Sequence, residues 1–308
     1  MLCQVRRTGV LVRPSFPSAS RSLAISAEEI SSSSSEGDER VDVEVQDNVA
    51  VVTLNRPEKY NALDIDMFRT IAETARSLSQ QRELRGVILC GSGKAFCAGL
   101  DVKSVTSNPF NAEELLRRPK GSVSNLAQDV SLLWRSIPVP VIAAIHGVCF
   151  GGGLQIALGA DFRLSTPDCK LSVMEAKWGL VPDMGGSVLL RELVSMDVAK
   201  ELTMTARVFD GNQAKEYGLV TRLSEQPVAD AMKLIEEIVT RSPDSVAAAK
   251  QLFNRTWRAP EDVALEMETE LQRKLLMPPL QNTIAAGTKG LNLPLQMSFT
   301  ARQDYWSP

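Results

Sequence analysis

Histidine is almost missing from this chain: 308 residues hold one, His146. The five cysteines (Cys3, Cys90, Cys97, Cys149 and Cys169) form no CxxC pair and no other metal-ligand spacing. Together these shortages argue against a zinc site, and the cysteines read as reduced core thiols. Long apolar runs are also absent. None reaches the roughly 18 residues that a membrane-spanning helix needs, so no span is expected. The body carries no long basic run and the formal net charge is −3, which argues against nucleic acid as a main partner.

Acids are missing from the first 27 residues, which carry Arg6, Arg7, Arg13, Arg21 and several serines before Glu28. That is the composition of an organellar transit peptide, without the apolar stretch of a secretory signal; a merely disordered tail is the plainer alternative. The expected destination is the mitochondrion, with plastid or peroxisome as alternatives. The serine-rich run Ser31–Arg40 continues as a linker, so residues 1–40 are expected to lie outside the folded body.

From Val41 the pattern changes. VDVEVQ alternates apolar and polar residues and VAVVTL is a short apolar run, a hairpin pattern around Asp47-Asn48. Ile65 to Leu84 has helical spacing, with Asp64 as its cap. GVILCG and VPVIAAIHG read as buried strands, DFRLST and CKLSV as short ones. Ser104–Ser122 reads as irregular, followed by a helix near Leu126–Arg135. After about Met184 the chain turns mostly helical, and its last thirty residues read as irregular. Strands alternating with helices predict an α/β layered fold with a largely buried sheet.

One stretch stands out. CFGGGLQIALGAD places three glycines between a strand and a helix. Backbone N–H groups at a helix start lack intrahelical partners, and glycine lets an oxygen approach them closely. Neither phosphate fingerprint fits: Ile156 stands where GxGxxG wants its last glycine, and GSGKAF lacks the first glycine and the Ser/Thr of a P-loop. Two readings remain for the glycines, an oxyanion hole or close helix–strand packing. A second turn, KAFCAGLDV, also follows a buried strand and also places small residues, Ala98 and Gly99, before an apolar one. Two N–H donors from two turns are what an oxyanion hole requires.

These turns, with NRPEKYNAL before them and MEAKWGLVPDMGG after, resemble the crotonase (enoyl-CoA hydratase/isomerase) superfamily, over roughly Val41 to Leu276. The resemblance implies an α/β spiral of ββα units, a core over residues 41–225, and a C-terminal helical trimerisation region over 226–308. It implies acyl-CoA as substrate, with coenzyme A as part of that substrate and no other cofactor or metal. It implies a homotrimer or a dimer of trimers. The oxyanion donors would be the backbone N–H groups of Leu100 and Gly152. The backbone of the first turn, Ala98, Gly99, Leu100, Asp101 and Val102, would lie near the CoA arm, Trp178 would also meet the substrate, and the segment after Lys103 would line the acyl pocket.

The acids separate members of the family. Its hydratases carry glutamates at the positions of Gln155 and Glu175 here. Gln155 can orient water but cannot exchange a proton at neutral pH. Glu175 remains, with Met174 and Trp178 expected to give it an apolar setting that raises its pKa. Asp183 matches an acid of the family's dienoyl-CoA isomerases, although those have aspartate where this chain has Gln155; alternatively it caps the helix over Ser187–Val194. One carboxylate and an oxyanion hole suffice for a 1,3-proton shift. The leading expectation is therefore an enoyl-CoA double-bond isomerase of fatty-acid β-oxidation. The alternatives are a hydratase, a dienoyl-CoA isomerase using Glu175 and Asp183, a thioester hydrolase or dehalogenase with Asp183 as nucleophile, and a non-catalytic acyl-CoA binder. An RNA-binding role would call for a lysine-rich helix, and FRTIAETARSLSQQRELR has none. His146 reads as structural, and Cys97 and Cys149, beside the proposed hole, as core thiols.

Overall fold

A two-residue turn starts the folded body. Asp47 and Asn48 both take positive φ, +50° and +63°, the turn that suits the twist of paired strands. It joins β1 (Val41–Gln46) to the antiparallel β2 (Val49–Leu54). The computed structural model describes residues 39–276 and 301–303. The arginine-rich leader, nearly all of the serine-rich run and most of the last thirty residues lie outside the described residues.

β2 is followed by a single 3-10 turn and then α1 (Ile65–Gln80). Asp64 caps α1 as expected, accepting from the Met67 N–H at 2.8 Å. β3 (Gly86–Gly91) and β4 (Val141–Ile145) are buried on both faces, hence their unbroken apolar sequences. With β6 (Phe162–Ser165) and β9 (Arg222–Leu223) they complete a six-stranded sheet, ordered β1-β2-β3-β4-β6-β9 and parallel from β2 onward. A smaller sheet joins β5 (Val148–Phe150), β7 (Lys170–Ser172) and β8 (Phe209–Asp210).

Three local expectations need correction. Ser104–Ser122 is not wholly irregular: α2 (Val102–Thr106) and α3 (Pro109–Leu116) form there, started by Asp101 and Asn108 as caps, with Pro109 at the first helical position. The strand expected through Gly147 ends at Ile145, and the chain leaves for the second sheet as β5. The two-residue strands β8 and β9 were not foreseen, because two residues carry no periodicity.

The remaining helices are α4 (Leu126–Ser136), α5 (Gly152–Leu158), α6 (Gly186–Leu193), α7 (Met196–Thr205), α8 (Gly211–Tyr217), α9 (Pro227–Val239), α10 (Pro243–Thr256) and α11 (Glu261–Leu276). The main core lies between the large sheet, α1, α4 and α5, around Phe68, Phe96 and Trp134. α9 closes the other face with Ala231 and Ile235 against Ile88 and Ile142. α10 is held by a buried cation: Lys250 Nζ lies 2.7 Å from Asp161 Oδ2 and donates to the carbonyls of Trp134 (3.2 Å) and Val139 (2.9 Å). All three bonds compensate a charge that would otherwise be costly to bury. No described helix is long and apolar enough to cross a membrane.

Candidate active site

Both turns come together at the ends of β3 and β5. Asn61, fully buried with φ +56°, holds the first. Its Nδ2 donates to the carbonyls of Ser92 (2.9 Å), Ala95 (2.8 Å) and Phe96 (3.2 Å), and its Oδ1 accepts from the Arg56 N–H. Leu63 then brackets Leu100. The Leu63 N–H donates to Gly99 O at 2.8 Å, and the Asp101 N–H donates to Leu63 O at 3.0 Å. Extended backbone alternates its polar groups, so the Leu100 N–H faces away from Leu63.

The residue before Leu100, Gly99, packs against the second turn. Gly99 has φ +91°, and a side chain there would begin 2.8 Å from Phe150 O and 3.6 Å from the Gly152 nitrogen; only glycine permits that approach. Phe150 N–H donates to Cys97 O (3.0 Å) and Gly151 N–H to Ser172 O (2.9 Å), which anchors the chain just before Gly152, the first residue of α5. Among the described residues, neither the Leu100 N–H nor the Gly152 N–H donates a hydrogen bond. Two unengaged amide donors on turns packed this closely are the components of a site for one oxygen that gathers charge.

The candidate acids stand beside them. Glu175, buried, opens the 3-10 turn Glu175–Trp178 after β7. Its Oε1 lies 3.3 Å from where a side chain on Gly151 would begin. Gln155 Nε2 donates to that same oxygen at 2.6 Å. Gln155 Oε1 in turn accepts from the N–H groups of Met184 and Gly186, both at 2.9 Å. The two backbone donors fix which way the amide points. Glu175 Oε2 is buried and has no hydrogen-bond partner among the described residues. Burial raises the Glu175 pKa; the Gln155 bond opposes this, and the neighbouring charge of Asp183 adds to it.

Asp183 does not cap α6. The cap residue is Gly185, with no side-chain cap bond. Asp183 is solvent-exposed on the turn before it, close enough to Glu175 to influence its charge, and the protein packed around its carboxyl still raises its pKa. Trp178 does not shield Glu175 either. It is 61% exposed, and the groups beside the Glu175 carboxylate are Gln155 and Gly151. The Asp101 carboxylate caps α2 through the Ser104 N–H (3.2 Å) and pairs with Arg56 Nη1 (2.9 Å). Only its backbone is left for a ligand. Ala98 is half-buried and Val102 lies at the surface. His146 Nε2 sits 3.0 Å from Gly93 O, a structural place. Cys97 and Cys149 are buried, and burial pushes Cys97 up to about 12 and Cys149 well above its ordinary value, which makes both poor nucleophiles.

Asn61 and Leu63 were not singled out from the sequence. A polar residue inside NRPEKYNAL, between a hairpin and a helix, was the available signal; its burial was not readable.

Residues 44–282 match the enoyl-CoA hydratase/isomerase family. Over 232 residues the chain is 33% identical to the short-chain-enoyl-CoA hydratase of Clostridium acetobutylicum, covering 74% of this chain and 86% of that one. It is 33% identical over 212 residues to a peroxisomal Δ(3,5)-Δ(2,4)-dienoyl-CoA isomerase of Arabidopsis thaliana, covering 66% of this chain and 76% of that one. The crystal structure of an enoyl-CoA hydratase from Mycobacterium smegmatis superposes with a TM-score of 0.73 at 28% identity, covering 82% of this chain and 97% of that one. The crotonase-like fold expected from the motifs is thereby found.

Proposed function

This chain belongs to the enoyl-CoA hydratase/isomerase family, and we propose that within it the protein is an enoyl-CoA double-bond isomerase, acting by a 1,3-proton shift with Glu175 as its only base. The Leu100 and Gly152 N–H groups hold the thioester oxygen of a 3-enoyl-CoA. Glu175 Oε2 takes a proton from C2, and the electron pair delocalises through the thioester as a dienolate held by the two amides. The same carboxyl returns that proton to C4 on the same face, which leaves the 2-enoyl thioester and restores the carboxylate. No water and no further cofactor enters this sequence.

The observation that carries this reading is the fixed pair of Gln155 and Glu175. Gln155 occupies one carboxylate oxygen and leaves Oε2 as the one that can exchange a proton. Gln155 itself has no proton to exchange at neutral pH, so the second acid that hydration requires is missing. The test is to incubate the protein with trans-3-enoyl-CoA and trans-2-enoyl-CoA in heavy-oxygen water. Isomerisation without label uptake supports the reading. Efficient labelling of a 3-hydroxyacyl product overturns it.

A second reading rests on Asp183. With its carboxylate free of any cap bond, it can serve as a second acid for a longer, conjugated dienoyl-CoA. Turnover of a 3,5-dienoyl-CoA that vanishes in Asp183→Asn would favour it. Exposed apolar side chains such as Trp178, Met196, Met204 and Trp257 support the proposal that copies associate as a trimer or a dimer of trimers, and sedimentation tests it. The acid-free, arginine-bearing first 27 residues support import into the mitochondrion, where the enzyme would serve fatty-acid oxidation. Imaging of the tagged full chain tests that.

A further inference from the structure

We infer that the Cys97 thiol is a positioning residue for the oxyanion hole: it fixes the peptide that carries the Leu100 N–H, while the Cys97 backbone supports the turn that carries the Gly152 N–H. This rests on the reading that those two amides hold the thioester oxygen. Cys97 is fully buried and no step of the proton shift uses it.

Gly99 is the freest residue of the first turn, and its backbone angles aim the Leu100 N–H. Both its ends are tied. Its carbonyl accepts from the Leu63 N–H, and its own N–H donates to Cys97 Sγ at 3.4 Å. The thiol in turn donates to Asn61 O at 3.0 Å, so the sulfur is itself held by the residue that grips the rest of the turn. Removing the sulfur releases one end of Gly99 and lets the Leu100 amide swing.

The second turn rests on the other side of Cys97. Phe150 N–H donates to Cys97 O, and Gly153 packs so closely that a side chain there would begin 2.5 Å from Cys97 O, 2.7 Å from Cβ and 2.9 Å from Sγ. Gly153 follows Gly152 directly. The second turn therefore rests first on the Cys97 backbone and only then on its sulfur, so the hydrogen bonds of the thiol act on the first donor.

The test uses the full chain and butanoyl-CoA isotopically labelled at its thioester carbonyl, a saturated and unreactive ligand. Infrared difference spectra report polarisation of that carbonyl. In the parent, binding should lower the stretching frequency. Cys97→Ala should bind the ligand and show most of that lowering lost. Its kcat for 3-enoyl-CoA isomerisation should fall about tenfold with KM little changed, a part of the ~10²–10³-fold that loss of a whole donor costs. Cys97→Ser, which keeps a donor and an acceptor at the site, should recover much of both. Cys97→Val, which keeps bulk without hydrogen bonds, carries the same expectation as Cys97→Ala should the latter fail to fold. A folded Cys97→Ala or Cys97→Val with the parent's carbonyl frequency and kcat overturns the inference. A parent with no frequency change on binding overturns the oxyanion hole, and the inference with it.

Discussion

The amide of Gln155 and the carboxylate of Glu175 are locked in one orientation. Gln155 Nε2 sits 2.6 Å from Glu175 Oε1, while Gln155 Oε1 is claimed by the Met184 and Gly186 N–H groups. An amide can bridge two donors and a carboxylate this way, and a second carboxylate cannot without holding a proton. In Gln155→Glu the two facing acids should share a proton across the same gap, and their ionisation should shift upward as a pair. The expected outcome is a gain of 3-hydroxyacyl product from 2-enoyl-CoA and an isomerisation optimum moved to higher pH. Heavy-oxygen uptake and pH–rate profiles of the two proteins check both.

Glu175→Gln removes the only base of the proposed mechanism. General acid–base groups contribute ~10²–10⁴-fold, and isomerisation should fall by an amount in that range. Acyl-CoA affinity should hold, because the proposed oxygen-binding groups are backbone amides elsewhere. Unchanged turnover in Glu175→Gln would leave the chain as an acyl-CoA binder whose acids are idle.

The buried carboxylate also marks stability. Burial raises the Glu175 pKa above its unfolded value, so its contribution to stability is full below the unfolded pKa and is lost as pH rises through the raised folded one. Glu175→Gln has no such loss. Its Tm should therefore exceed the parent's by a margin that grows with pH from the ordinary carboxylate range upward and levels off above the raised pKa. Asp183 is raised in the same sense and is present in both proteins, so it enters the difference only through its coupling to Glu175, which has the same sign. A margin independent of pH would contradict the assignment.

Lys250 should matter for folding and not for chemistry. Breaking a buried pair by removing one partner costs roughly 3–5 kcal/mol. Asp161 keeps the Val141 N–H as a donor, which places Lys250→Met toward the lower end. Urea unfolding gives the loss, and turnover per folded molecule should equal the parent's.

Asp183→Asn loses no helix cap and removes a carboxyl whose pKa burial raises, so above the ordinary carboxylate range its thermal midpoint should not fall below the parent's. With 3-enoyl-CoA its activity should be close to the parent's if Glu175 works alone. A large loss with that substrate would argue that two acids act together.

The sequence made the two turns legible because their signals are local: glycine and alanine between a strand and a helix need no tertiary knowledge to be noticed. Glu175 and Gln155 were legible through the motif, but their contact was not. It depends on the turn into α6 donating two amides to Gln155, from residues 29 and 31 positions further on. The cap offered as one alternative for Asp183 and the enclosed setting expected of Trp178 failed for one reason. Both residues lie in the stretch between β7 and α6, where the chain follows neither a 3.6 nor a 2.0 period, and which side faces solvent is set by packing alone. The short α2 and α3 were missed because they depend on their caps more than on an apolar stripe.

The two amides proposed to bind the substrate oxygen belong to the main chain, so an alanine scan would pass over them. Leu100→Ala would alter a side chain and keep its N–H. Gly152→Ala would keep its N–H too and fail for an unrelated reason, since its new methyl would stand 2.7 Å from Met184 Sδ. Ester bonds placed at those peptide links by chemical synthesis would delete each donor while keeping the side chains, and would weaken only the acceptors Gly99 O and Gly151 O. In this site the genetic code can reach the supports of the donors, Asn61, Leu63 and Cys97, more readily than the donors themselves.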